Sequence, residues 1–197
     1  MQRQKIREIL IGTNNKGKLR EIRDLIPKKV KVLSLKNITA KSPNETSKTF
    51  KGNALLKARQ IYSKFGLNCF ADDTGLEIEA LNGAPGVYSA RYAGPDCKAE
   101  DNIEKVLSEL KMVKNRSAKF ITVIALIING EEFIFEGICK GIITKERIGN
   151  DGFGYDPIFL PDGSNHTFAQ MDNIEKGKIS HRGIAVMKLL SFLSKKK

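Results

Sequence analysis

KFITVIALIINGEEFIFEGICKGII, residues 119–143, is the stretch that decides the fold. Two β-branched apolar runs, Lys119 to Ile128 and Glu132 to Ile143, flank Asn129-Gly130. Both positions of a tight two-residue turn need positive φ, which Asn and Gly adopt most readily, so the dipeptide marks an antiparallel hairpin. Upstream the pattern differs. Ile6 to Ile11 reads as a short buried strand ending at Gly12-Thr13, and from Lys16 a helical period places Leu19, Ile22, Leu25 and Ile26 on one face until Pro27 stops it. Val30 to Leu35 is a second strand, and Lys36 to Thr49 is polar and loop-like. A second helix carries Phe50, Ala54, Ala58, Ile61 and Tyr62 and ends at Gly66. Asn68 to Ala71 is a strand that ends at Asp72-Asp73-Thr74-Gly75, followed by Leu76 to Leu81 and a Gly/Pro-rich loop from Asn82 to Gly94. An amphipathic helix through Ile103, Val106, Leu107 and Leu110 precedes the hairpin, and a closing helix covers Gly183 to Leu193 after a loop-rich stretch. Parallel-style units followed by a hairpin predict a mixed α/β fold. At 197 residues, one domain spanning 1–197 is the expectation.

Composition narrows the class. A hydrophobic fraction of 41% and a charged fraction of 28% are those of an ordinary globular chain, which excludes disorder, collagen and a disulfide scaffold. The apolar run from Phe120 to Ile128 is half the length of a membrane-spanning helix, and the N-terminal apolar stretch is too short for a signal peptide. Cys69, Cys97 and Cys139 are odd in number and share no close spacing, which argues against zinc ligation and disulfides and for reduced thiols in a cytoplasm. A net charge of +12 favours polyanionic partners without choosing among nucleotides, nucleic acids and anionic lipid. Part of that charge is the tail Lys195-Lys196-Lys197, read as a solvated helix end.

Four clusters carry candidate chemistry. Thr13-Asn14-Asn15-Lys16-Gly17-Lys18 lies between a strand and a helix, where backbone N–H groups and the helix dipole meet an anion, although an N-cap with solvated lysines is the plainer alternative. It is not a Walker A loop. Glu45 with Asp72-Asp73 offers oxygen donors for Mg2+, which takes one or two carboxylates and completes its octahedron with waters and phosphates; a capped turn at Thr74-Gly75 is the alternative. Gly152-Phe153-Gly154-Tyr155-Asp156-Pro157 gives a backbone that approaches a flat ligand and rings that stack on it, or else a tight turn with Phe153 in the core. Lys176 and Ser180-His181-Arg182 precede the last helix; His-Arg supplies donors for a base edge, and Ser180 is equally a candidate N-cap. No nucleophilic triad is present.

The order of these motifs is more specific than any one of them. Thr13-x-Asn15-x-x-Lys18-x-x-Glu21 is followed by Glu45-Thr46, Phe50-x-x-Asn53-Ala54-x-x-Lys57-Ala58, Ala71-Asp72-Asp73-Thr74-Gly75-Leu76 and Gly83-Ala84-Pro85-Gly86-Val87-Tyr88-Ser89-Ala90-Arg91. Gly152 to Phe159, Thr167-Phe168-Ala169 and Lys176 to Arg182 complete the set. The chain resembles, over nearly its whole length, the inosine triphosphate pyrophosphatase family, the non-canonical purine nucleoside triphosphate pyrophosphatases. The resemblance implies a two-lobed α/β fold with a long central mixed sheet, a substrate cleft between lobes and a homodimer. It implies hydrolysis of inosine, deoxyinosine and xanthosine triphosphates to monophosphate and pyrophosphate, with Mg2+. By the same resemblance, Thr13, Asn15 and Lys18 hold the triphosphate, Asp73 is the essential acid at the metal, and Glu45 is its metal partner. Thr74 binds substrate with the hydroxyl of the more common Ser, Phe153, Gly154, Tyr155 and Asp156 form the base pocket, and Lys176, His181 and Arg182 reach the base. Asn44, where many members have a second acid, departs from the pattern, as do Gly52 and Gln170. The alternatives are a pyrophosphatase for another modified nucleotide and a basic nucleic-acid-binding protein. The second is not expected, since no RNA platform, zinc module or helix-turn-helix is legible.

Overall fold

The computed structural model describes residues 8–28, 30–35, 45–96 and 98–195. Ile6 and Arg7 of the first expected strand, Asn44 and most of its loop, Cys97 and the last two lysines lie outside them.

Local chemistry sets most of the elements. Strand β1 (Glu8–Ile11) leads through Gly12 to helix α1 (Lys16–Leu25), whose N-cap Asn15 accepts from Lys18 N at 3.0 Å. Strand β2 (Lys31–Ser34) follows, then helix α2 (Phe50–Phe65), capped by Thr49 at its start and by Gly66 at φ 65° at its end. Strand β3 (Cys69–Ile78) precedes a short 3₁₀ helix, Gly86–Arg91, and helix α3 (Ala99–Glu109). The hairpin forms as expected: β4 (Ser117–Ile128) and β5 (Glu131–Ile143) are joined by Asn129 at φ 51° and Gly130 at φ 83°. Strand β6 (Phe159–Pro161), helix α4 (Asn173–Ile179) and helix α5 (His181–Lys195) complete the chain.

The six strands form one sheet in the order β2-β1-β3-β4-β5-β6. Strand β1 pairs in parallel with β2 and β3, and β5 pairs antiparallel with β6 in the register Gly141↔Pro161. The expected mixed α/β class is therefore the one that forms. The residues fall into two compact units. The first comprises the chain up to Asp73, Thr122–Gly137 and the chain from Arg182 onward. Its core packs Ile9, Ile11, Leu19, Ile22 and Phe70 with Ile124, Leu126, Val186 and Leu189. The second comprises Thr74–Ile121 and Ile138–His181, with a core of Leu76, Ile78, Ile103, Val106, Phe120, Phe159 and Phe168. Among the described residues no helix is long and apolar enough to cross a membrane.

Two expectations are corrected. Asp72-Asp73-Thr74-Gly75 does not end a strand but lies inside continuous β3. The acids are tolerated there because lysine ammonium groups reach both of them, so the backbone keeps its ladder and the charges are compensated. Lys176 and the His181-Arg182 pair sit on helices α4 and α5 rather than in a loop. Helix α4 begins with a capping box, Asp172 with Glu175, within the stretch expected to be loop-rich.

Candidate active site

The first unit gathers a set of charged side chains around β3. Gly12, between β1 and α1, has no room for a side chain: a Cβ there would lie 2.4 Å from Ile61 Cδ1 and 2.9 Å from Ala71 Cβ. The turn after it is ordered by Thr13 Oγ1, which accepts from Asn15 N at 3.2 Å. Asn15 and Lys16 are exposed, while Thr13, Asn14, Gly17 and Lys18 are half-buried. Lys18 donates from Nζ to Asp72 Oδ2 at 2.6 Å. One turn further along α1, Glu21 Oε2 accepts from Arg182 Nη1 at 2.5 Å, with Arg182 almost wholly buried. Residues three apart share a helix face, which is how α1 presents both charges to the same side.

Helix α2 supplies the second layer. Its buried side carries Asn53 and Lys57 among Phe50, Ala54, Ala58 and Ile61. Lys57 Nζ lies 2.6 Å from Glu45 Oε1 and 3.2 Å from Asp73 Oδ1, so both expected metal carboxylates converge on one positive charge. Asn53 donates from Nδ2 to Asp73 Oδ2 at 3.1 Å and accepts from Ser47 N at 2.8 Å.

Electrostatics differentiate the two acids. Burial by itself raises the Asp72 carboxyl, but the Lys18, Arg182 and Lys57 cations outweigh it and hold Asp72 well below the usual carboxylate range. Asp73 goes the other way: burial lifts it, offset only in part by Lys57 and Lys18 and reinforced by Glu45. Burial lowers Lys18 against the pull of Asp72, whereas the neighbouring carboxylates raise Lys57 against its burial. Asp72 is thus a fixed anion and Asp73 a basic one. Hard oxygen donors that already surround a cationic point fit a small divalent cation, which needs one or two protein carboxylates.

The second unit gathers the other set. Gly152 has φ 79°, and a Cβ there would stand 2.2 Å from Asp156 Oδ2, so only glycine fits. That carboxylate oxygen accepts from Phe153 N at 2.7 Å and from Lys176 Nζ at 2.5 Å. The Lys176 ammonium also lies 5.0 Å from the Phe153 ring centroid and 5.3 Å from that of Phe168. Phe153 and Gly154 are half-buried, as a platform for a flat ligand requires. Tyr155 is instead a core residue, donating from its hydroxyl to Ser89 O at 2.9 Å, and Ser89 Oγ accepts from Leu76 N, where β3 leaves the half-buried Thr74. His181 stacks on Phe120 with centroids 4.5 Å apart and an interplanar angle of 13°.

Thr13 to Lys18, Glu45, Asp73 and Arg182 thus belong to the first unit, and Thr74, Phe153 to Asp156, Lys176 and His181 to the second. Glu21, Asn53 and Lys57 stand in the ordered motifs but received no role from the sequence. The available signal was a lysine and an asparagine on the apolar face of α2, where unpaired polar side chains are rarely found.

Residues 9–192 match the model of the Ham1 family. The dITP/XTP pyrophosphatase of Christiangramia forsetii is 51% identical over 189 residues, covering 95% of this chain and all of that protein. That of Flavobacterium psychrophilum is 51% identical over 186 residues, covering 94% and 98%. The solved structure of the Staphylococcus aureus Ham1 protein is similar at a TM-score of 0.87 and 40% identity, covering 96% of this chain and all of that one.

Proposed function

The chain belongs to the Ham1 family, as its ordered motifs lead one to expect, and from that premise we propose that it hydrolyses non-canonical purine nucleoside triphosphates to the monophosphate and pyrophosphate. The observation that carries this reading is the convergence of Glu45 and Asp73 on one cationic point, in the unit whose β1–α1 turn opens on a helix N-terminus, where an anion is favoured. Relatives half identical to this chain are dITP/XTP pyrophosphatases, which supports deoxyinosine and xanthosine triphosphates, together with inosine triphosphate, as its substrates.

In this mechanism Thr13 to Lys18 bind the triphosphate: the N-terminal amides of α1 face its oxygens and Lys18 neutralises charge. Asp72 holds that lysine in place beforehand. Glu45 and Asp73 would hold Mg2+, which would supply neutralisation of phosphate charge and Lewis-acid polarisation there. Asp73 accepts on its carboxylate a proton from the water that attacks the α-phosphorus, and pyrophosphate leaves. Lys57 keeps the two carboxylates together while the cation is absent.

Phe153 and Gly154 form the platform for the base, and Asp156, Gly152 and Tyr155 fix the shape of that turn. Thr74 contributes its hydroxyl to the substrate. Lys176, His181 and Arg182 donate toward the base, with Glu21 fixing the plane of the Arg182 guanidinium. Hypoxanthine and xanthine present a 6-oxo acceptor where adenine presents a 6-amino donor. A site built of donors leaves adenine with unpaired groups, and such mismatches discriminate by about 10⁴–10⁵. The 197 residues act as one catalytic domain, in a homodimer, in the cytoplasm.

The test is a panel of nucleoside triphosphates with released pyrophosphate as readout, run on the wild type and on Asp73→Asn. Wild type should prefer the inosine and xanthosine compounds, and the variant should stay folded and lose turnover. Near-normal activity in Asp73→Asn would refute the assignment.

A further inference from the structure

We propose that Asn53 is a positioning residue: a neutral amide that locks the Asp73 carboxylate plane and the Glu45-bearing segment into one arrangement, and so builds the divalent-cation site. Asparagine is a poor helix former, and a buried amide is costly unless bonded. Asn53 is 1% exposed in the second turn of α2, so its bonds must justify its presence. Their directions are forced. A backbone N–H only donates, so the group facing Ser47 N is the amide oxygen, and the NH₂ end is the one turned to Asp73.

The consequence for Asp73 is a clamp from two consecutive turns of one helix. Lys57 Nζ takes Oδ1 and Asn53 Nδ2 takes Oδ2, at 3.2 Å and 3.1 Å. Two donors on different oxygens fix the rotation of the carboxylate about its terminal bond, which is otherwise broad. The amide does this without adding charge, so it leaves the anion intact for a metal, whereas the Lys57 ammonium competes for the same ground.

The consequence for Glu45 follows from Ser47, two residues downstream. Its backbone is bound to Asn53, and its hydroxyl accepts from Thr49 N at 3.2 Å, next to the Thr49 cap on α2. One side chain therefore ties the Asp73 carboxylate and the backbone two residues after Glu45 to the same helix. Groups that orient metal ligands in this way typically change metal affinity or activity by about 10–100-fold when removed.

The inference rests on Glu45 and Asp73 being the cation-binding carboxylates, and the experiment separates the two. Asn53→Ala and the volume-retaining Asn53→Leu are titrated calorimetrically with Mg2+ alone, and kcat and KM for deoxyinosine triphosphate are measured at saturating Mg2+. Both variants should bind Mg2+ about tenfold or more weakly and lose kcat by a similar factor, while the nucleotide KM stays within about threefold, since the phosphate-binding turn is untouched. Mg2+ affinity and kcat within about twofold of wild type in the two variants, or their restoration by leucine alone, would overturn the proposal and reduce Asn53 to a packing residue. Asp73→Asn is the control: if it keeps Mg2+ binding and turnover, the reading of the site itself falls, and if it loses both while Asn53→Ala keeps them, only the role of Asn53 falls.

Discussion

Replacing Asp72 by asparagine removes one charge and almost no volume, which makes the energetic consequence of the buried ion set readable. Asp72 is 1% exposed in the middle of β3, with Lys18 Nζ at 2.6 Å and the Arg182 charge acting on it as well. Without it, Lys18 loses the carboxylate it touches, and Asp73 and Glu21 are the anions left near Lys18 and Arg182. Removing one partner of a buried pair costs about 3–5 kcal/mol. The asparagine oxygen still accepts from Lys18 and retains about 1 kcal/mol of that. A net loss of about 2–4 kcal/mol corresponds, at about 2–4 °C per kcal/mol for a chain of this size, to a melting temperature lower by roughly 5–15 °C. Scanning calorimetry at neutral pH measures it. The double variant Lys18→Met/Asp72→Asn removes the stranded ammonium and should recover part of the loss, giving a coupling that single variants do not show. The pH dependence has a definite sign. The native Asp72 carboxyl lies below its unfolded value of about 3.9, so its stabilisation is present above that pH and is lost as pH falls toward the depressed native value. The gap in melting temperature between wild type and Asp72→Asn should therefore hold down to about pH 5 and narrow as pH falls below about 4. A shift of less than about 2 °C at neutral pH, or a double variant no better than additive, would refute the ion-set reasoning.

Three further outcomes are expected. Gly152→Ala places a methyl group against Asp156 Oδ2 at a φ that alanine avoids, so it should break the Asp156–Lys176 contact and lower kcat/KM at least about tenfold; unchanged kinetics would show that the turn does not shape the base platform. His181→Ala and Arg182→Ala should depress kcat/KM for inosine triphosphate steeply while the low adenosine rate hardly moves, and an unchanged ratio in both variants would place selectivity elsewhere. Burial pushes the Cys69 thiol up to about 12, and burial with Asp162 pushes Cys139 up to about 11. Thiolate is then scarce until pH approaches those values, so neither cysteine should take up iodoacetamide in the folded protein at pH 8, and both should do so in urea. Native labelling of Cys69, read by mass spectrometry, would contradict its burial.

The sequence by itself determined what is local. Asn129-Gly130 gave the hairpin because a two-residue turn between twisted strands tolerates few other dipeptides, and both residues do stand at positive φ. Gly66 ended α2 and Pro27 followed the end of α1 for equally local reasons. The ordered motifs identified the chemistry-bearing residues and their family. Polarity is not exposure at Asp72-Asp73: two adjacent acids pattern as a strand end, yet both are buried inside β3. Only the tertiary structure supplies the reason they remain there. Lys18, 54 residues before Asp72 in the chain, sits on it, and Arg182 reaches Glu21 across 161 residues. Asn53 and Lys57 likewise acquire roles only when α2 packs against β3. A side chain's type is fixed by its codon, but its bonding partners are set by which elements pack together, and neither spacing nor periodicity in one chain encodes those long-range pairs directly.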